Sequence, residues 1–176
     1  MMDRQGIKRL VLAALFLALG LVLPSAFHMV GAGPVFLPMH IPVLLCGFVC
    51  GWQYGLAVGL LTPLLSSFTG MPPLFPTAIA MMFELGAYGC LTGLLRRKLG
   101  CNVYVSLIAA MLGGRAVSGL ANAALMGVAG KAYGLTAFLS ASFVTAVPGI
   151  VIQVVLIPLV VLALERTGLV ARRRAH

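Results

Sequence analysis

Long apolar runs dominate this chain, and short polar or proline-rich segments separate them. The longer runs have the length that a helix needs to cross the hydrocarbon core of a bilayer, about 20 residues. The pattern therefore predicts an all-α, polytopic membrane protein built as a bundle of six transmembrane helices. The predicted helices cover residues 6–27, 40–51, 54–68, 77–95, 102–128 and 135–164.

The breaks between the predicted helices contain residues that helices avoid. A loop rich in glycine and proline precedes the second helix, and the segment 70–76 contains three prolines, which fix φ and remove backbone donors. Trp52 and Gln53 are predicted to form a tight connection between the second and third helices. These two helices are short for full spans, so a re-entrant pair is an alternative that preserves the orientation of the others.

The composition supports a membrane protein and leaves little room for anything else. Hydrophobic residues make up 61% of the 176 residues and charged residues only 9%, against about 25% charged residues in soluble domains. Six spans use about 120 residues, so residues 1–176 are predicted to form a single domain with short loops. A separate catalytic or nucleotide-binding domain does not fit, and the sequence contains no phosphate-binding loop, HExxH or GxSxG motif. We therefore expect no enzymatic activity, no cofactor and no metal.

The net charge of +9 is compatible with nucleic-acid binding, but the positions of the charges indicate membrane topology instead. Ten of the twelve lysines and arginines fall in three groups, at residues 4–9, 96–98 and 166–174, which flank predicted helices. The positive-inside rule places such groups in the cytoplasm, so both termini and the loop between the fourth and fifth helices are predicted to be cytoplasmic. The first apolar run is long for a signal peptide and further spans follow it, so we interpret it as a retained first helix.

Small residues recur at the four-residue spacing that lets membrane helices approach closely. In the first helix Ala14 and Ala18 have this spacing, which indicates either internal packing or a docking face for another membrane protein. Cys46 and Cys50 share a helix face without a histidine or acidic partner nearby, so we interpret them as small buried residues rather than metal ligands. Four glycines at this spacing in the second and third helices are interpreted as packing positions: Gly47, Gly51, Gly55 and Gly59.

Two ionisable residues fall well inside predicted helices, Glu84 in the fourth and Arg115 in the fifth. A charge within the hydrocarbon is costly and normally faces a partner or a cavity. The simplest arrangement pairs the two side chains. Because a buried ion pair is weak evidence for stability, two interpretations stay open: a structural clamp between helices, or a pair of groups that binds a polar ligand.

Polar neighbours of these charges outline a candidate cavity for a substrate. Tyr88 lies one helical turn after Glu84, and Asn122 lies two turns after Arg115, so each shares a helix face with its charged neighbour. Gln153 in the sixth helix is a further polar group at depth. It either lines the same cavity or bonds a neighbouring backbone.

The outer loops of the predicted topology add His40 and Phe75 to this candidate site. A single histidine is usually a local hydrogen-bonding residue, but His40 beside a rigid proline-rich loop is also suited to a lid. Apolar walls with a few convergent polar groups are typical of a small-molecule site. The candidate substrate-binding residues are Arg115, Glu84, Asn122, Tyr88, His40, Phe75 and Gln153.

Several segments resemble the substrate-binding S components of energy-coupling factor (ECF) transporters. The resemblance is carried by residues 36–45 (FLPMHIPVLL), by the glycine-rich step that follows to Gly59, by residues 63–66 (PLLS) and 70–72 (GMP), and by Glu84-Leu85 with Tyr88-Gly89. It implies a six-helix fold in a bacterial plasma membrane and high-affinity capture of a water-soluble vitamin. It also implies partners, namely a transmembrane coupling protein and two cytosolic ATPases. In this family the small-residue motif of the first helix docks on the coupling protein, which corresponds to Ala14 and Ala18 here.

The resemblance favours pantothenate as the vitamin, followed by folate, because the Met-His-Ile-Pro form at residues 39–42 looks most like members associated with such substrates. Both vitamins carry a carboxylate, which Arg115 is suited to bind. Two alternatives belong to other classes of protein. A stand-alone secondary permease would usually show inverted repeats and broken helices, and a structural membrane protein would use the two buried charges only as a clamp.

Overall fold

The computed structural model describes residues 4–29, 36–70, 73–75, 77–128 and 146–167. Every regular element in these ranges is a helix, in agreement with the predicted all-α class. We label the six helices α1 to α6 in chain order. Their bounds are Arg4–Met29, His40–Cys50, Trp52–Phe68, Thr77–Arg97, Val103–Val128 and Val147–Arg166.

The predicted helices agree with the observed ones in number and order, and differ at several ends. Trp52 and Gln53 form the first turn of α3 rather than a connection, because the chain reverses within a single residue, Gly51 (φ 105°). That backbone conformation favours glycine. The prediction for residues 135–145 of the sixth helix lies outside the described residues, as does the break predicted between the fifth and sixth helices.

Four of the described helices, namely α1, α4, α5 and α6, are long and apolar enough to cross a membrane. The other two are apolar but shorter, with 11 residues in α2 and 17 in α3. All of the long helices expose large apolar side chains on their outer faces, including Val11, Leu112 and Leu159. A soluble monomer rarely exposes apolar surface so widely, so these faces are suited to lipid.

Helix α2 lies at the centre of the bundle, and ten of its 11 residues are buried. It carries no acidic or basic residue other than His40, so it can be surrounded by other helices without burying further charge. Helices α1, α3, α4 and α6 all pack against it, and α5 packs between α4 and α6. Cys46 and Cys50 belong to this core, as predicted for small buried residues.

Glycines bring the backbones of α3 and α4 into direct contact. A Cβ atom on Gly55 would overlap the carbonyl of Gly89, and one on Gly59 would overlap the carbonyl of Leu85. Gly47 of α2 likewise leaves room for Gly89. The packing role predicted for these glycines is therefore confirmed at three of the four positions, whereas Gly51 serves the turn.

The basic groups of the sequence meet at one end of the bundle. Arg97 donates hydrogen bonds to the carbonyl oxygens of Phe48 (3.3 Å from Nε) and Val49, which closes the C-terminal end of α2. Arg96 pairs with Glu165 at 2.5 Å between Nη2 and Oε1, which joins the C-terminal ends of α4 and α6. We call this the basic end.

The start of α1 belongs to the basic end as well, because Arg9 lies close enough to Arg97 for their charges to interact. The single tryptophan is also there, since the ammonium group of Lys98 lies 5.4 Å from the centre of the Trp52 ring. The described members of all three basic groups therefore share one end of the molecule. The positive-inside rule requires the basic groups to lie on one side of the membrane, and helices that alternate in direction bring them there.

Candidate functional site

A buried carboxylate, Glu84 of α4, lies at the centre of the polar groups inside the bundle. It is only 5% exposed and lies two helical turns from the start of α4, about 10 Å along its axis. Tyr88, one turn later and fully buried, donates its hydroxyl hydrogen to Glu84 Oε1 at 2.9 Å. The predicted shared face of these two residues is confirmed.

Arg115 approaches the same carboxylate from α5. Its Nε atom lies 3.5 Å from Glu84 Oε1, and the residue is 8% exposed near the middle of its helix. The structure thus brings together the two intramembrane charges that the sequence pairs. Ser118, one turn further along α5, also lies against this carboxylate.

His40 completes the cluster from α2. Its Nε2 atom lies 3.6 Å from Glu84 Oε1, and its ring centre lies 5.3 Å from that of Tyr88. His40 is buried as the first residue of α2, and its suggested part in a lid stays a prediction. We call His40, Glu84, Tyr88 and Arg115 the polar cluster.

The backbone just before α2 sets the position of His40. Leu37 has a φ of 49°, an unusual value for a residue with a branched side chain, and its carbonyl oxygen accepts the His40 N–H at 3.1 Å. Strained backbone of this kind is concentrated at functional sites. The turn directs the histidine into the bundle at the point where α4 carries its carboxylate.

Gly114 of α5, which was not among the predicted site residues, makes room for the cluster. A Cβ atom on Gly114 would overlap the ring of Tyr88. The Gly113-Gly114 pair directly before Arg115 could have revealed this close contact from the sequence. Two glycines inside a long helix lower its helix propensity, so their presence indicates that a neighbouring group packs closely there. Gly114 lets the tyrosine lie flat against α5 beside Arg115.

The remaining candidate residues lie in different surroundings. Asn122 is half-buried and donates to the carbonyl oxygen of Ser118 at 2.9 Å, a bond within its own helix. Phe75 is 54% exposed in the short segment before α4. Gln153 is fully buried in α6, and within the described part of the chain its Nε2 atom has no hydrogen-bond partner.

The polar cluster is shielded from water, and some of its polar atoms make no hydrogen bond within the described residues. One carboxylate and one guanidinium balance each other in a region with little access to water, where breaking such a pair is far more costly than at a surface. Neither ring nitrogen of His40 makes a hydrogen bond within the described residues, although Nε2 faces the Glu84 carboxylate at 3.6 Å. Buried polar groups without hydrogen-bond partners are rare in native proteins, so the unpartnered Nδ1 marks this cluster as the candidate site.

Fold and site together define a polytopic helical membrane protein with a polar cluster enclosed between its helices. A family profile described as the substrate-specific component of ECF transporters matches residues 8–161. The match covers most of the chain, which therefore belongs to this family. No curated protein and no solved structure matches the chain.

Membership of this family settles the general role of the protein. It is a multi-pass protein of the bacterial plasma membrane and a substrate-binding component of a transporter, not an enzyme. Proteins of this family bind a small substrate and pair with the other components of an ECF transporter in the membrane. The resemblance noted in the sequence is confirmed at the level of the family.

Proposed function

We propose that this protein is the high-affinity subunit that captures a water-soluble vitamin bearing a carboxylate, with pantothenate as the first candidate and folate as the second. The observation that carries the proposal is Arg115, a buried cation near the middle of its helix, supported by the carboxylate of Glu84. A buried guanidinium is suited to bind a planar carboxylate through two parallel hydrogen bonds.

The geometry of the ion pair leaves donors for a ligand. Glu84 approaches the Nε side of the guanidinium, and an arginine side chain carries further N–H donors on its two terminal nitrogens. The ion pair can therefore be both a structural clamp and part of a binding site. Glu84 holds the Nε side of Arg115, which orients the two terminal nitrogens toward a ligand carboxylate. Positioning residues that hold a binding group in place are typical of specific sites.

The location of the cluster supports capture from outside the cell. His40 is the first residue of α2 and Glu84 lies near the start of α4, so the cluster occupies the half of the bundle away from the basic end. By the positive-inside rule the basic end, with the start of α1 and the end of α6, faces the cytoplasm. The site then opens toward the external medium, where a scarce nutrient must be bound.

The outer face of α1 supports a docking role toward the transporter. Ala14 and Ala18 are both exposed on this helix, and their small side chains allow close approach of a partner helix. We assign this face to the transmembrane coupling protein, which in turn joins two cytosolic ATPases. The ATPases supply the energy, and this subunit supplies the substrate.

Purification followed by ligand analysis tests the proposal. We expect mass spectrometry of the protein purified in detergent to find a stoichiometric vitamin, and pantothenate to raise the melting temperature of the ligand-free protein. Trp52 fluorescence is a poor reporter, because the indole lies at the basic end, away from the polar cluster. Calorimetry is therefore the preferred measurement.

Variants assign the binding to the polar cluster. Arg115→Ala removes the cation that we assign to the carboxylate, and we expect pantothenate binding to be lost. Arg166→Ala removes an exposed arginine at the basic end and serves as the matched control, with unchanged affinity. Absence of any bound vitamin in the wild type, or full affinity in Arg115→Ala, would contradict the proposal.

A further inference from the structure

Gln153 of α6 is a buried polar side chain that the polar cluster does not use. It is 1% exposed, and its Nε2 atom has no hydrogen-bond partner among the described residues. The sequence left two roles open for it, a wall of the substrate cavity or a bond to a neighbouring backbone. Within the described ranges the side-chain nitrogen makes no such bond, so this donor is free to bind a ligand.

Gln153 lies at the same level of the bundle as the polar cluster. The pair between Arg96 and Glu165 fixes the ends of α4 and α6 beside each other. Glu84 and Gln153 each precede their paired neighbour by twelve residues, which corresponds to about 18 Å along each helix. The carboxylate and the amide are therefore equally far from the basic end.

Gln153 also faces the interior that encloses the cluster. Four of the five buried residues of α6 recur every four positions, so they form one stripe along the helix, and the fifth, Pro158, lies beside it. Helix α6 packs against α2 and α5, which carry His40 and Arg115. The opposite face of α6 exposes large apolar side chains such as Val151 and Val155. The buried stripe consists of Gly149, Gln153, Ile157 and Val161.

We propose that Gln153 is a specificity-determining residue of the vitamin site, whose Nε2–H donates a hydrogen bond to an uncharged acceptor of the ligand. This inference rests on the proposed function, in which Arg115 binds the carboxylate. The ligand class is then a compound that carries a carboxylate and, nearby, an amide or ring carbonyl. Pantothenate has this chemistry, since two carbons separate its carboxylate from the nitrogen of its amide.

Replacement of Gln153 by the similarly shaped methionine tests the assignment. We expect Gln153→Met to weaken pantothenate binding about tenfold in calorimetry, the value of one lost hydrogen bond. The melting temperature of the ligand-free variant should equal or exceed that of the wild type, because methionine removes a donor that lacks a partner. An unchanged affinity with a lower melting temperature would show a purely structural glutamine and overturn the inference.

Ser106 of α5 provides the matched control. It is fully buried, and its Oγ also lacks a partner among the described residues. It lies nine residues from Arg115 toward the basic end, about 14 Å along the helix. We expect Ser106→Ala to leave the affinity for pantothenate unchanged, and an equal loss in both variants would overturn the specific role of Gln153.

Panthenol, which has a hydroxyl in place of the carboxylate, separates the two halves of the proposed contact. The tenfold penalty of Gln153→Met should persist with panthenol, while the effect of Arg115→Ala should largely vanish. If the loss of affinity caused by Gln153→Met disappears with panthenol, the glutamine acts through the carboxylate and the assignment is wrong.

The outcomes separate this inference from the proposed function. Failure of the wild type to bind pantothenate overturns the proposed substrate together with this inference. Equal binding of pantothenate by the wild type and Gln153→Met overturns this inference alone.

Discussion

Substitution of Glu84 by glutamine tests the balance of charge inside the bundle. The change keeps the shape of the side chain and an oxygen that accepts from Tyr88, but it removes the negative charge. Arg115, with only 10% of its side chain exposed, then has no anionic partner among the described residues. Breaking a buried pair in this way costs about 3–5 kcal/mol, and the retained hydrogen bond places the expected loss near the lower limit.

A loss of about 3 kcal/mol corresponds to a fall of about 6–12 °C in the melting temperature of a chain of this size. Thermal unfolding of the detergent-purified protein measures it. Glu165→Gln is the comparison variant, because Glu165 also pairs with an arginine, but at the basic end, where Arg96 also donates a hydrogen bond to the Cys101 carbonyl oxygen. We expect this variant to lose less stability, since Arg96 keeps that partner and lies at a helix end, from which its long side chain can reach the membrane surface.

Ligand rescue distinguishes a binding site from a clamp. If Arg115 binds the carboxylate of the vitamin, saturating pantothenate supplies the negative charge that Glu84→Gln lacks. The ligand should then raise the melting temperature of the variant by more than it raises that of the wild type. An equal or smaller rise would refute the assignment of the carboxylate to Arg115, and a variant as stable as the wild type would refute the energetic argument.

Three further predictions concern packing, capping and docking. Gly55→Ala, whose Cβ would overlap the Gly89 carbonyl, should destabilise the protein by about 1–3 kcal/mol in thermal unfolding, whereas Gly86→Ala, which meets only flexible leucine side chains, should cost less. Arg97→Ala should lower the melting temperature by removing the bonds that close α2, while the exposed Lys98 tolerates alanine. Ala18→Trp should leave vitamin binding intact but abolish co-purification with the coupling protein, and retained co-purification would contradict the docking assignment.

The membrane fold could be predicted because its cause is local. Apolar runs and the grouping of basic residues are properties of sequence segments, and they predicted the number and order of the helices in the described part of the chain. The ends of the helices were harder to predict where a single residue determines the position of the turn. Gly51 alone reverses the chain, whereas Trp52 and Gln53 were predicted to form the connection.

The polar cluster could be predicted only in part, because its members meet through tertiary contacts. Glu84 and Tyr88 are one turn apart on one helix, so their contact follows from helical spacing. The pairing with Arg115 followed from the cost of two charges in a membrane. The position of His40 depends on the turn at Leu37, and no periodicity in the sequence reports that conformation.

The helices that carry the polar cluster and Gln153 are held together by different contacts. Glycine contacts hold the backbones of α2, α3 and α4 against one another, and α5 packs closely on α4. Helix α6 meets α4 through the Arg96–Glu165 pair at the basic end. On the function proposed above, a ligand bound by both Arg115 and Gln153 would join α6 to α5 at the end opposite that pair. We therefore expect substrate binding to change how firmly α6 is held, which is a change that a partner protein in the membrane can detect.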